Sequence, residues 1–98
     1  MEKKSYAKMM PHSIEAEQAI LGCCLIDENV PIEVMGALTA GDFYVEAHKQ
    51  IFDAMMSIYS NNVAIDFVTI TDQLEKNNLL ESIGGIDYIT TLTNIIPS

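Results

Sequence analysis

The stretch from Phe43 to Tyr59, FYVEAHKQIFDAMMSIY, constrains this chain most. Ala47, Ile51, Met55 and Ile58 recur at the i, i+4, i+8, i+11 spacing that aligns side chains along one helical face. Phe52 adds to that core stripe, and His48 and Tyr59 run beside it, so the apolar face is wide rather than a narrow coiled-coil seam. Glu46, Lys49, Gln50 and Asp53 fall mostly on the remaining arc, and no Gly or Pro interrupts the run. A helix with so broad an apolar face must bury it against several neighbours at once. The stretch therefore predicts the central helix of a small helical domain.

The segments on either side support that expectation. Residues 1–10 read as a flexible N-terminal arm, with the folded domain running over 11–98. Ser13 suits an N-cap, and Glu15 and Glu17 fall in the first turns, where carboxylates favour the helix dipole. Ile14, Gln18, Leu21 and Leu25 share one face of that helix, while Ala16, Ala19 and Cys23 form a small-residue face. That face suits close packing within the domain or self-association between copies. Asp27-Glu28-Asn29 breaks the helix, and Asn29 is placed to cap a second one that tolerates Pro31 in its first turn. Val30, Val34 and Leu38 line the inner face of that second helix.

Thr39 to Asp42 predicts a turn with one short helical turn before Phe43. The central helix should end at Ser60-Asn61-Asn62, followed by an extended Val63-Ala64-Ile65. Asp66 then caps a helix carrying Phe67, Ile70 and Leu74, although Val68 and Thr69 lend its first turn some strand propensity. That helix should fray at Lys76-Asn77-Asn78, and Gly84-Gly85 should make a sharp turn into a last helix carrying Ile86, Ile89 and Leu92. The fold class expected is all-α, a compact bundle of five to six short helices.

Charge narrows the function. The net charge is −9, arginine is absent, and three of the five lysines precede Pro11, whereas Glu2 is the only one of fourteen acidic side chains that does. Such a surface repels phosphates, which supply most nucleic-acid affinity. It suits a folded partner with a basic face, or serves solubility alone. No apolar run approaches the ~20 residues needed to span a bilayer. The N-terminus lacks the apolar core of a signal peptide, so a cytoplasmic location is expected.

Chemistry is hard to find. The phosphate loop GxxxxGK[ST] and the dinucleotide-binding glycine pattern are both absent. His12, Cys23, Cys24 and His48 are the side chains a small metal-binding or hydrolytic protein would use. Adjacent cysteines on a helix point about 100° apart, however, and zinc sites prefer a C-x₂₋₄-C spacing. Buried small hydrophobes explain Cys23 and Cys24 better, and a packed or capping role explains His48 better than a base. No catalytic, cofactor-binding or metal constellation is expected.

Four blocks carry a resemblance. Pro11 to Gly22 (PHSIEAEQAILG) comes first, then Asp42-Phe43-Tyr44 with Ala47-His48 and Ile51-Phe52. Asp66 with Val68-Thr69-Ile70 and Leu80-Glu81 with Ile83-Gly84-Gly85 and Tyr88 follow in order. Together they resemble the N-terminal domain of DnaB-type bacterial replicative DNA helicases. The resemblance implies the globular head of that domain, without the helical hairpin, the linker and the RecA-like motor that uses ATP and Mg. It implies a non-catalytic role in oligomerisation and partner docking at the replication fork. The expected partners are other helicase subunits in a hexamer whose N-terminal domains pair, DNA primase, and a helicase loader. An unrelated all-α interaction adaptor is the competing possibility.

For a partner surface, Glu15 is a candidate because the helix start points it outward, with dipole stabilisation as the alternative. Tyr88 is the other, its ring packing inward while its hydroxyl reaches the surface, with plain core packing as the alternative.

Overall fold

The computed structural model describes residues 13–95. Expectations that fall on 1–12 and 96–98, including the N-terminal arm, Pro11 and His12, lie outside the described residues. Within them the chain forms α1 (Ile14–Ile26), α2 (Val30–Ala37), a 3-10 turn (Ala40–Asp42), α3 (Glu46–Ser60), α4 (Phe67–Lys76) and α5 (Gly85–Ile95). No strand occurs among the described residues, so the all-α bundle is as expected.

The helix starts follow from their caps. Ser13 Oγ accepts from the Ala16 N–H at 3.1 Å. Asn29 occupies the N-cap of α2 but makes no side-chain cap; its own N–H donates to Asp27 Oδ1 instead, at 2.9 Å. At α4, Asp66 Oδ1 accepts from the Thr69 N–H at 2.8 Å while Thr69 Oγ1 accepts from the Asp66 N–H at 2.9 Å. This reciprocal pair satisfies two backbone donors and overrides the strand propensity of Val68 and Thr69. The expected short helical turn before Phe43 is the 3-10 turn, closed by a Thr39–Asp42 capping box.

The helix ends also have a local cause. Asn62 and Asn78 adopt left-handed φ values of 61° and 60°. The Val63 N–H donates to Ile58 C=O and the Asn62 N–H to Tyr59 C=O, the paired bonds of a Schellman closure. Leu79 to Leu74 and Asn78 to Glu75 repeat the pattern after α4. The expected fraying at Lys76-Asn77-Asn78 is therefore corrected: the helix is tied off, because asparagine tolerates the left-handed conformation that the closure needs.

The core holds the central-helix positions Ile51, Phe52, Met55 and Ile58, joined by Ala54, with Ala47 half-buried against them. Leu21, Cys24 and Leu25 enter from α1, Ile70 and Leu74 from α4, and Ile89 and Leu92 from α5. Two apolar residues depart from their expected inner faces. Ile14 and Ile86, each in the first turn of its helix, are about half exposed. The buried stripe of α1 runs through Leu21, Cys24 and Leu25, about two turns further in.

Two helices, not one, organise the bundle. α3 packs against α1, α4 and the 3-10 turn, whereas α1 packs against α2, α3 and α5. The sequence favoured α3 because its polar and apolar arcs separate cleanly. α1 shows no such separation, since Glu17 and Gln18 turn inward to His48 and Tyr88 while Ile14 and Ile26 are exposed, so its role is hidden.

Candidate functional site

The meeting point of α1, α3 and α5 holds the most developed polar arrangement. His48, in the first turn of α3, is fully buried. Its Nδ1 lies 2.7 Å from Glu17 Oε1 on α1, and its Nε2 lies 2.6 Å from the Tyr88 hydroxyl on α5. Gln18 Nε2 donates to the same hydroxyl at 3.1 Å. The His48 and Tyr88 rings are near parallel, at 11°, with centroids 5.9 Å apart. Phe43 meets His48 edge-on at 6.5 Å and packs on Phe52 at 4.9 Å, closing the apolar side.

Glu17 does more than pair with the ring. Oε2 accepts the Tyr44 N–H at 2.7 Å and Oε1 accepts the Val45 N–H at 3.3 Å. Val45 is the N-cap position of α3 and has no side chain able to cap. A carboxylate 28 residues earlier in the chain thus accepts the N–H of the N-cap residue, one of the orphan donors at the start of α3, together with that of Tyr44 before it. Burial pushes the Glu17 carboxyl up, but the Tyr44 N–H, His48 and the Val45 N–H outweigh it and hold it below its ordinary value.

The proton assignment follows from chemistry. An ionised carboxylate only accepts, so Nδ1 of His48 carries a proton. In a neutral ring Nε2 then accepts from the Tyr88 O–H, and the Tyr88 oxygen accepts from Gln18. Both ring nitrogens of His48, the Tyr88 hydroxyl and both carboxylate oxygens of Glu17 are matched in this arrangement. Both ring nitrogens are occupied and no part of the ring meets solvent. The constellation locks three helices together and presents no free base.

Gly84 and Gly85 place Tyr88. Their φ values of 113° and 74° are left-handed, where side chains are strained. A Cβ on Gly84 would come within 2.8 Å of Tyr88 Cβ, so the glycine also makes room for the tyrosine one turn into α5.

The residues singled out from sequence are distributed as follows. Glu15 is exposed in the first turn of α1. Tyr88 is half-buried, and its expected outward hydroxyl is corrected: it points inward, because buried His48 needs a partner for Nε2. Of the small-residue face, Ala16 is exposed while Ala19 and Cys23 are half-buried. Cys24 is a core residue whose thiol is pushed up to about 11, by burial first and by the neighbouring Cys23 second. Among the described residues no three His, Cys, Asp or Glu side chains gather where they could hold a metal ion.

Local spacing does not reveal Glu17 as the partner of His48, 31 residues away, or Gln18 as the partner of Tyr88, 70 residues away. One signal was available. Glu17 lies four residues before Leu21 and seven before Cys24, in phase with the most buried stripe of α1, where an acid needs a partner.

The comparisons with known proteins agree with this fold. The family model for the DnaB-like helicase N terminal domain matches residues 9–98. The replicative DNA helicase DnaB of Leifsonia xyli subsp. xyli (strain CTCB07) is 35% identical over 97 residues, 99% of this chain and 21% of that protein. The replicative DNA helicase DnaB of Geobacillus stearothermophilus is 37% identical over 91 residues, 93% of this chain and 20% of that protein. The chain thus spans about a fifth of the length of the curated relatives it matches. The crystal structure of the N-terminal domain of DnaB helicase from Mycobacterium tuberculosis superposes with a TM-score of 0.86 at 35% identity. It covers 90% of this chain and 61% of that one. With the family match running almost end to end and the same helical fold beneath it, the chain belongs to the DnaB-like helicase N-terminal domain family.

Proposed function

We propose that this chain is the globular head of a replicative helicase's N-terminal domain, a non-catalytic element that assembles subunits and docks partners during DNA replication. The single observation that carries the proposal is the family match over residues 9–98. In this reading the head joins other subunits in a hexameric collar, contributes to primase docking, and is open to a loader. ATP and magnesium belong to the motor domain, the head itself needs no cofactor, and the protein works in the cytoplasm. No described helix is long and apolar enough to cross a membrane. The acidic surface supports a protein partner over a phosphate backbone.

The decisive test uses the intact helicase and the helicase-interacting C-terminal part of its primase. Glu15→Ala should weaken or retune primase stimulation while basal ATPase stays unchanged, and removing the whole head should abolish the stimulation. Full stimulation without the head would overturn the docking role. For the isolated chain, sedimentation over a concentration series should show a monomer that pairs weakly at high concentration. ATP turnover or submicromolar single-stranded DNA affinity would contradict the non-catalytic reading.

A further inference from the structure

A second feature lies at the other end of α1. An open cleft of about 660 Å³ runs between the α1–α2 junction and the segment linking α3 to α4. A neighbouring hollow of about 350 Å³ shares Glu28, Ala64 and Ile65 with it, so the two form one continuous depression. Its apolar surface comes from Cys23, Ile26, Tyr59, Val63 and Ala64, with Ile65 buried beneath. Ile26 and Val63 are 47% and 48% exposed, a large fraction for aliphatic side chains that share one depression. Exposed aliphatic side chains grouped in one depression can be covered by the apolar side chains of a partner segment.

The rim decides what fits. Asp27, Glu28 and Asp66 edge the cleft, and no lysine lines either hollow. Asp27 and Asp66 are partly engaged by the backbone of Asn29 and Thr69, whereas Glu28 makes no hydrogen bond or ion pair among the described residues. Lys76, one of the two lysines after residue 10, is already paired with Asp72 at 3.5 Å. An apolar strip between acidic edges is complementary to aliphatic side chains flanked by lysine or arginine.

We propose that this cleft docks a short segment of a partner protein that presents two or three aliphatic side chains between basic ones. The aliphatic side chains cover Ile26, Val63 and Tyr59, and the basic ones meet Glu28 and Asp66. Neither Glu15 nor Tyr88 lines the cleft, so failure here leaves the assembly proposal standing.

The test pairs each cleft variant with a chemically matched control on the same chain. The probe is a synthetic amphipathic peptide with a leucine stripe bordered by lysines, titrated at physiological ionic strength. Ile26→Ser and Glu28→Gln should each weaken binding about five- to tenfold. Ile86→Ser, at a site 50% exposed on α5, and Glu75→Gln, on the exposed face of α4, should leave it unchanged. All four positions are solvent-exposed, so each variant should keep the parent's circular dichroism and unfolding midpoint, which checks that the fold is intact. Bound peptide should also shield Cys23 from alkylation, while buried Cys24 stays unreactive throughout. Equal weakening by cleft and control variants would reduce the effect to general charge attraction and overturn the proposal. So would an absence of binding, undiminished binding of a peptide with glutamates for its lysines, or concentration-dependent shielding of Cys23 without peptide. That last result would mean a second copy covers the cleft.

Discussion

Replacing Glu17 by glutamine preserves size and shape and removes only charge and acceptor capacity. Three N–H groups, of Tyr44, Val45 and His48, converge on two carboxylate oxygens. An amide has one oxygen and one NH₂. With its oxygen toward His48, the NH₂ opposes the Tyr44 N–H, which now approaches to 2.7 Å. Flipped, the NH₂ opposes the Nδ1 proton of His48. Moving that proton to Nε2 only passes the conflict to Tyr88, whose O–H then loses its acceptor. Every arrangement breaks at least one bond and turns the others from charge-assisted to neutral. Charged hydrogen bonds contribute about 1.5–3 kcal/mol and neutral ones about 0.5–1.5, so the variant should lose about 2–4 kcal/mol. A domain of this size has about 5–15 kcal/mol in total.

Urea unfolding followed by circular dichroism should show a lower midpoint at unchanged slope. The loss should also depend on pH. A carboxylate held below its ordinary 4.5 stabilises the fold fully above that value, and the contribution disappears as pH falls through the lower folded value. The gap between the parent and Glu17→Gln should therefore be complete at neutral pH and close only in acid. A neutral-pH loss under ~0.5 kcal/mol, or a gap that widens in acid, would refute the network as a stabilising lock.

Tyr88→Phe strands Nε2 of buried His48 and should cost about 1–3 kcal/mol; combined with Glu17→Gln the two losses should fall short of their sum by more than ~0.5 kcal/mol in a double-mutant cycle. Gly84→Ala meets both a left-handed backbone and the Tyr88 side chain, and should cost about 2–4 kcal/mol by thermal unfolding. Gly85→Ala has open space and should cost only about 1 kcal/mol; equal costs would remove the steric half of that account. Thr71 carries a buried hydroxyl with no hydrogen-bond partner among the described residues, so Thr71→Val should raise stability by about 1 kcal/mol, and a lower stability would show that the hydroxyl is satisfied after all.

The legible parts of this fold were those written within one helix turn. Ser13, Asp66 and the Thr39–Asp42 turn cap with neighbours three residues away, and the stripe of α3 repeats within its own helix, so local spacing located them. The hidden parts depend on distant chain. Glu17 holds the entry of a helix that starts 29 residues later, and Tyr88 completes a bond across 40. Neither residue type is unusual in its own segment. Glu17 reads locally as a dipole-stabilising acid, because its position in the first turn also fits that role. The hub helix α1 is concealed because exposed Ile14 and Ile26 and inward Glu17 and Gln18 erase its amphipathic signal. Ile14 and Ile86 show the converse: correct phase in a helix does not bury a residue in the first turn, where a neighbouring element does not reach.

Tyr88 joins the hidden lock to the proposed function. Truncating it to alanine removes ring and hydroxyl together, so a change in primase stimulation could come from a lost contact or from a loosened head. The network separates these causes. Tyr88→Phe keeps the ring surface that a partner would touch and removes only the bond to His48. Glu17→Gln loosens the same lock from α1, at a side chain 13% exposed, and leaves Tyr88 in place. If the tyrosine acts through its exposed ring, Tyr88→Phe retains primase stimulation and Tyr88→Ala loses it. If it acts by holding α5 against α1 and α3, all three variants of the intact helicase should shift stimulation in the same direction and rank with their loss of stability. The second pattern is the one favoured by the inward hydroxyl, because the atom that distinguishes tyrosine from phenylalanine is committed to the interior.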